Sequence, residues 1–332
     1  MSGEPSGEDR LIAKHFAPLA SDPRAQGLVD DAAVMAPPAG MDLVLKTDGV
    51  VGGVHFFLDE APDAIARKAL RVNLSDLAAK GATPSGYLIT LALPDGITED
   101  WLAGFARGLG EDAETYGCPL LGGDTVKTPG PLTISIAIIG LVPSGRTVTR
   151  MGGKPGDRIF VSGTIGDAAL GLRLRRDSNL ASRWGLDDAM RTHLLARYQL
   201  PQPRNALAGC VRDHAHAAMD ISDGLVGDLT KLCRASHVSA EIEAMRVPFS
   251  GGVATAITAD EELLEPVLTG GDDYEILCTV PYSRCEAFRA AAAASQVPVS
   301  EIGRIVAGEA PPRVIGPRGT AITFARGSFS HF

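Results

Sequence analysis

The stretch Leu43-Val44-Leu45-Lys46-Thr47-Asp48-Gly49-Val50-Val51-Gly52-Gly53-Val54-His55-Phe56 places the strongest constraint on the chain. An apolar, β-branched run reaches Thr47-Asp48, and a glycine-rich segment then carries the backbone to a single His. A strand that delivers a carboxylate to the rim of a site has this form. Comparable acids recur at Asp30-Asp31, Asp76, Asp124, Asp220 and Asp223, most of them beside Gly or at the end of an apolar run. A solvated surface does not need that placement. Divalent cations and a phosphate substrate do, because hard oxygen ligands suit Mg²⁺ and the metal offsets the repulsion among the acids.

With 332 residues, 45% of them hydrophobic, the chain has material for about two domains with real cores. A net charge of -9 excludes a general nucleic-acid binder, which needs a basic footprint. The five cysteines are odd in number and contain no C-x-x-C pair, so they read as buried thiols of a reducing compartment. Met1 to Arg10 carries three acids and no apolar core of a secretion signal. The longest strongly apolar run, Leu132 to Val142, is shorter than the roughly 20 residues of a membrane helix and reads as a buried strand. The expectation is a cytoplasmic protein with neither membrane nor nucleic acid as partner.

Taken in order, Glu8 to Leu19 has a helical stripe, and Gly27 to Val34 reads as a strand-like segment interrupted by Asp30-Asp31. Pro62 opens a helix to about Ala79, on which Asn73, Asp76 and Lys80 share one face. Spacing alone leaves that face either solvated or metal-binding. Ser85 to Leu93 reads as a strand. Thr98 or Asp100 caps a helix whose seam of Trp101, Phe105 and Leu109 leads to Tyr116. Leu121-Gly122-Gly123-Asp124-Thr125 then repeats the logic of the opening stretch, with glycines that admit a close ligand.

Arg146 to Gly156 has the composition of a linker, and the domain boundary is placed there, giving units 1–148 and 149–332. Arg150 in this joint is either a surface charge or a phosphate clamp. The second unit opens with a strand, Arg158 to Ser162, and a glycine-rich turn that is not a P-loop, since G-x-x-x-x-G-K-[ST] occurs nowhere. Ser178 to Asp188 reads as an exposed connection, and His214 and His216 as helix-end histidines. Asp220-Ile221-Ser222-Asp223-Gly224 precedes a helical stripe, so Ser222 or Asp223 is expected at a helix N-terminus, where amides and a metal hold phosphate oxygens. Gly270-Gly271-Asp272-Asp273-Tyr274-Glu275 enters another apolar run, and Ser283 with Glu286 suggests a capping box after Pro281.

The ordered set Asp30-Asp31-Ala32-Ala33, Thr47-Asp48 with His55-Phe56, Asn73-Leu74-Ser75-Asp76-Leu77-Ala78, Gly122-Gly123-Asp124-Thr125, Asp220-Ile221-Ser222-Asp223-Gly224-Leu225 and Gly270-Gly271-Asp272-Asp273-Tyr274-Glu275 resembles the thiamine-monophosphate kinases over nearly the whole chain, down to the His331-Phe332 ending. The resemblance implies ATP- and Mg²⁺-dependent phosphorylation of thiamine monophosphate to thiamine diphosphate. It implies a two-domain α/β (α+β) fold shared with aminoimidazole ribonucleotide synthetase, a β-barrel formed by the N-terminal domains of a homodimer, and a C-terminal α/β domain over the nucleotide cleft. Carried over by motif, Asp31, Thr47, Asp48, Asp76, Asp124, Asp220 and Asp223 are expected to hold several Mg²⁺ ions, with Asp48, Asp124 and Asp223 carrying catalysis. Tyr116, Gly123, Asp124, Arg150 and Ser222 are expected to contact ATP. His55, Asp272 and an aromatic near the C-terminus, Phe329 or else Phe324, are expected to meet the thiamine phosphate. The chain departs from the family pattern at Val29, where Gly is usual, and at Lys46, where a small hydroxyl residue is usual. A protonated amine cannot ligate Mg²⁺, so the expectation is one metal lost or replaced by the ammonium.

Overall fold

The computed structural model describes residues 6–317, 319–324 and 327–328. It divides into two compact units: the described residues through Leu77 with Thr83–Gly145, and Ala78–Ala82 with those from Arg146 onward.

The first unit runs α1 (Gly7–Leu11), β1 (Met41–Val51), α2 (Pro62–Ala79), β2 (Thr83–Leu93), α3 (Glu99–Tyr116), β3 (Leu120–Lys127) and β4 (Thr133–Pro143). Its sheet has the order β1-β4-β2-β3, antiparallel except for the β2/β3 pair. Strand period decides which residues face the helices. Ile134, Ile136 and Ile138 of β4 are buried, and in β1 Val44, Lys46, Asp48 and Val50 are more covered than Leu43, Leu45, Thr47 and Gly49. Thr98 caps α3 by accepting the Trp101 amide at 3.1 Å, and Gly117 ends it with φ +60°. Helices α2 and α3 approach so closely at Gly108 that an added Cβ would lie 2.4 Å from the Asp63 carbonyl oxygen.

The second unit contains β5 (Arg158–Ser162), α4 (Asp167–Arg176), α5 (Leu180–Arg183), α6 (Asp188–Gln199), α7 (Ala208–His214), β6 (Ala217–Asp220), α8 (Leu225–Ser236), β7 (Ser239–Glu243), α9 (Gly251–Ala259), α10 (Leu264–Thr269), β8 (Ile276–Val280), α11 (Cys285–Ala294), β9 (Val299–Val306), β10 (Arg313–Ile315) and β11 (Ala321–Ile322). The sheet order is β11-β10-β7-β9-β5-β8-β6. Alternation splits the central strands between two cores. Ile159, Val161, Met219 and Leu277 join Leu225 and Leu229 of α8, whereas Phe160, Ala218 and Cys278 join Val211 and Phe288. Strand β8 is therefore apolar at every position bar Thr279, as a strand covered on both faces must be.

Among the described residues both sheets have a linear strand order and stay open within the single chain, whereas the expected barrel is one formed between two copies. Several expectations are corrected. The segment from Gly27 to Val34 is not a strand, because Gln26, Gly27 and Leu28 take left-handed φ values that break an extended run. Ser178 to Asp188 contains α5 and the buried Trp184, which anchors a satellite core with Leu174 and Leu194. The N-cap of α8 is Gly224, not Ser222 or Asp223. Ser283 makes no capping box, since a 3-10 turn places Arg284 at the α11 N-cap. All five cysteines are free and buried, and among the described residues no helix is long and apolar enough to cross a membrane.

Candidate active site

On the helix-facing side of β1, Asp48 and Asp76 converge on one cation, and that cation belongs to the chain. Lys46 Nζ lies 3.0 Å from Asp48 Oδ1 and 2.9 Å from Asp76 Oδ2. Period two puts Lys46 and Asp48 on one face of β1, and α2 presents Asp76 to it. Asn73, one turn earlier on α2, fixes the strand by accepting the Asp48 amide at 3.0 Å while its own amide donates to Ala69. Burial disfavours charge on Lys46, but Asp76 and Asp48 more than offset it and raise its pKa. Burial pushes the Asp48 carboxyl up against the opposing pull of Lys46. Thr47 turns to the opposite face, where its hydroxyl lies 3.5 Å from that of Ser135.

A groove of about 630 Å³ on that opposite face is lined by Asp30, Asp31 and Gly122 to Thr125, with Phe16, Leu28 and Leu88 among its apolar walls. It brings Asp31 and Asp124 to one concavity, both exposed. Gly123 owes its absent side chain to its own sheet, since a Cβ there would meet the Ile89 carbonyl oxygen at 2.0 Å. Tyr116, the last residue of α3, lies under the Arg71 guanidinium at 5.7 Å, and Asp112 holds that guanidinium through bonds of 2.6 and 2.9 Å. The His55 Nδ1 accepts the Val51 amide at 3.0 Å, which leaves the neutral ring's proton on Nε2 as a donor.

In the second unit, buried Asp220 ends β6, and the following loop is tied to the Gly270-Gly271 segment. The amides of Asp272 and Tyr274 donate to the carbonyls of Ser222 and Ile221 at 2.9 and 2.8 Å. An added Cβ at Gly271 would sit 2.3 Å from the Ser222 carbonyl oxygen. The segments bearing Ser222 and Asp272 are thus one structural piece. Asp223 pairs with Lys231, whose Nζ also lies 2.8 Å from buried Asp228. Arg150 is exposed, and its carbonyl accepts the Ser236 hydroxyl at 3.0 Å. Phe324 packs against the α8 core, and Phe329 lies outside the described residues.

Among the described residues no three His, Cys, Asp or Glu side chains gather as a metal cage. Carboxylates presented singly, as at Asp31 and Asp124, still fit Mg²⁺, which commonly takes one or two carboxylates and completes its shell with substrate phosphates and water. The Asp48/Asp76 pair fits a cation and already holds one, the Lys46 ammonium, which offsets one of its two negative charges.

The family models for the N-terminal and C-terminal domains of AIR synthase related proteins match residues 29–142 and 154–313. A thiamine-monophosphate kinase of Caulobacter vibrioides is 46% identical over 92% of this chain and 86% of its own length. The chain belongs to the thiamine-monophosphate kinase family. A crystal structure of such a kinase from Stenotrophomonas maltophilia has a TM-score of 0.81 at 37% identity, covering 95% of this chain and 96% of that one. AaThiL complexed with AMPPCP and TMP has a TM-score of 0.77 at 32% identity, covering 91% of each chain.

Beneath the Asp272 segment of this family member lies a buried ionic network that reading the sequence missed. Glu275, fully buried, is held by Arg197 at 2.9 Å, by Arg204 and by the Ser162 hydroxyl at 2.6 Å. Burial pushes the Asp273 carboxyl well up, against the pull of the Gly166 amide 2.8 Å away. These groups lie far apart in sequence, and no local spacing links them. Asp167 accepts from His193, Ser250 and Thr164. Burial opposes its ionisation, but these donors hold its carboxyl below the usual range. The bond to Asp167 raises the His193 pKa against desolvation. A depressed acid stabilises above its unfolded pKa of about 3.9 and loses that as pH falls through the folded value; a raised His stabilises below about 6.5 and loses that as pH rises. The pair is therefore strongest between roughly pH 4 and 6.5. In thermal melts the gap between wild type and His193→Gln should be widest near pH 5.5 and narrow toward pH 8.5. A gap that ignores pH would refute the charged pair.

Proposed function

We propose that the chain catalyses ATP-dependent phosphorylation of thiamine monophosphate, yielding thiamine diphosphate and ADP. The observation that carries this is the 46% identity to a thiamine-monophosphate kinase across 92% of the chain. An acceptor phosphate oxygen forms the new bond to the γ-phosphorus in line with the bond to the β,γ-bridging oxygen, which breaks and leaves as ADP. The acceptor is already an anion, so no strong general base is needed, and His55 serves as a donor to substrate through Nε2. Asp272 joins it as a substrate contact. Tyr116, Gly123, Arg150 and Ser222 hold ATP, with the Arg150 guanidinium suited to phosphate oxygens. Asp31, Thr47, Asp48, Asp76, Asp124, Asp220 and Asp223 are assigned to Mg²⁺ binding, and Asp48, Asp124 and Asp223 bear most directly on the reacting phosphates. When bound, Mg²⁺ would neutralise the charge that spreads over the transferred group.

Homodimerisation belongs to the same reading. The groove side of the sheet leaves Leu45 70% exposed, with Leu43, Leu88 and Val126 also uncovered, a surface suited to the matching sheet of a second copy and hence to a shared barrel. Asp124 on β3 and the Thr47 region of β1 are three strand spacings apart, about 14 Å, so a second copy can bring them to a common ligand. The domain division at 148/149 and a cytoplasmic location complete the proposal.

ADP release should be measured with ATP and Mg²⁺ in the presence of thiamine monophosphate, thiamine, or no acceptor. Turnover only with the monophosphate is expected. Turnover with an amide-bearing ribonucleotide acceptor instead would favour another synthetase of this fold, and ATP binding without turnover would favour a nucleotide-binding scaffold.

A further inference from the structure

We propose that the Lys46 ammonium is a resident cation of the active site, filling the point where Asp48 and Asp76 converge, so that this enzyme takes up one divalent ion fewer than its carboxylates would otherwise hold. The proposal rests on the kinase reading and extends it to the metal inventory. Two carboxylates facing each other in a half-buried site need a positive charge between them, and Lys46 Nζ is within 3.0 Å of Asp48 and 2.9 Å of Asp76. The arrangement is built rather than incidental. Lys46 and Asp48 share a strand face, β1 is paired with β4 along its whole length, and Asn73 pins the Asp48 backbone from the helix that carries Asp76.

An Mg²⁺ ion bridging the same two carboxylates would sit about 2.1 Å from each oxygen. It would then lie within a few ångströms of Nζ, with Coulomb repulsion added to steric conflict, so ammonium and metal exclude one another. The exchange changes the chemistry at that point. A tethered ammonium cannot be lost at low Mg²⁺ and donates hydrogen bonds, but it has half the charge of the metal and no open coordination position for a phosphate oxygen or water. Charge neutralisation here is therefore partly independent of Mg²⁺ concentration.

The test counts Mn²⁺ bound per chain by electron paramagnetic resonance, on the full-length protein with saturating AMPPCP. Lys46→Ser and Lys46→Ala should each bind one more Mn²⁺ than wild type, and Lys46→Arg, which keeps the charge, the same number as wild type. Equal counts in all four proteins would overturn the proposal. Should the charge-removing variants fail to fold, anomalous scattering from Mn²⁺-soaked crystals of the wild type decides. A peak between Asp48 and Asp76 overturns the proposal, and peaks elsewhere with Nζ in place support it. ADP release by the wild type with thiamine monophosphate is read separately: no turnover by the wild type, with one Mn²⁺ gained by the charge-removing variants, would sink the kinase reading and leave the resident cation standing.

Discussion

Asp124→Asn is expected to lower turnover with thiamine monophosphate by about 10²- to 10³-fold while leaving the thermal midpoint within a degree or two of wild type. Asp124 is exposed at the groove on β3, opposite Thr90 of β2, and is not part of either core. Exposed substitutions of this kind change stability by about 0.5 kcal/mol or less. Asn keeps the shape and one oxygen but loses the charge, and a hard divalent ion depends on that charge. The loss should appear mainly in kcat, with partial recovery when Mg²⁺ is replaced by excess Mn²⁺. Turnover within threefold of wild type would remove Asp124 from the proposed metal ligands.

Glu275→Ala should be the most damaging single change to the second unit. Its carboxylate is fully buried between Arg197 and Arg204, and Arg197 also donates to the Asp273 carbonyl at 3.0 Å. Removing it takes away the carboxylate shared by two guanidinium groups and leaves Arg197 with Asp167 at 4.0 Å, at a cost of about 3–5 kcal/mol. The damage should spread to the adjoining segment. Asp272 and Tyr274 hold φ values of +72° and +50°, which non-glycine residues adopt only when their surroundings impose them. Urea unfolding of wild type and Glu275→Ala measures the loss. A difference below about 1 kcal/mol would mean that water enters and solvates the two arginines.

Local chemistry made much of the fold legible. Proline at the start of α2, the Thr98 cap of α3 and the isoleucine alternation of β4 act within a few residues, so their elements lie close to where the sequence places them. Failures occurred where a local cue met a tertiary demand. Ser283 and Glu286 have capping-box spacing, yet the chain leaves β8 through a tight turn that puts Arg284 at the cap. Trp184 sits in a polar stretch and is buried all the same, because α4, α6 and α9 leave an apolar gap over it.

The order of acidic motifs by itself determined the family and the reaction, since those features are written in consecutive residues. Period two also separates Thr47 from Asp48 onto opposite sheet faces, so adjacency in sequence does not mean a shared ligand. Only the tertiary structure decided the partners of the charges. Lys46 meets Asp76 from 30 positions away, Lys231 bridges Asp223 and Asp228, and Glu275 draws Arg197 and Arg204 into the interior. The reason is physical: Coulomb energy and desolvation depend on distance through space and on burial, and neither is set until the strands and helices have packed.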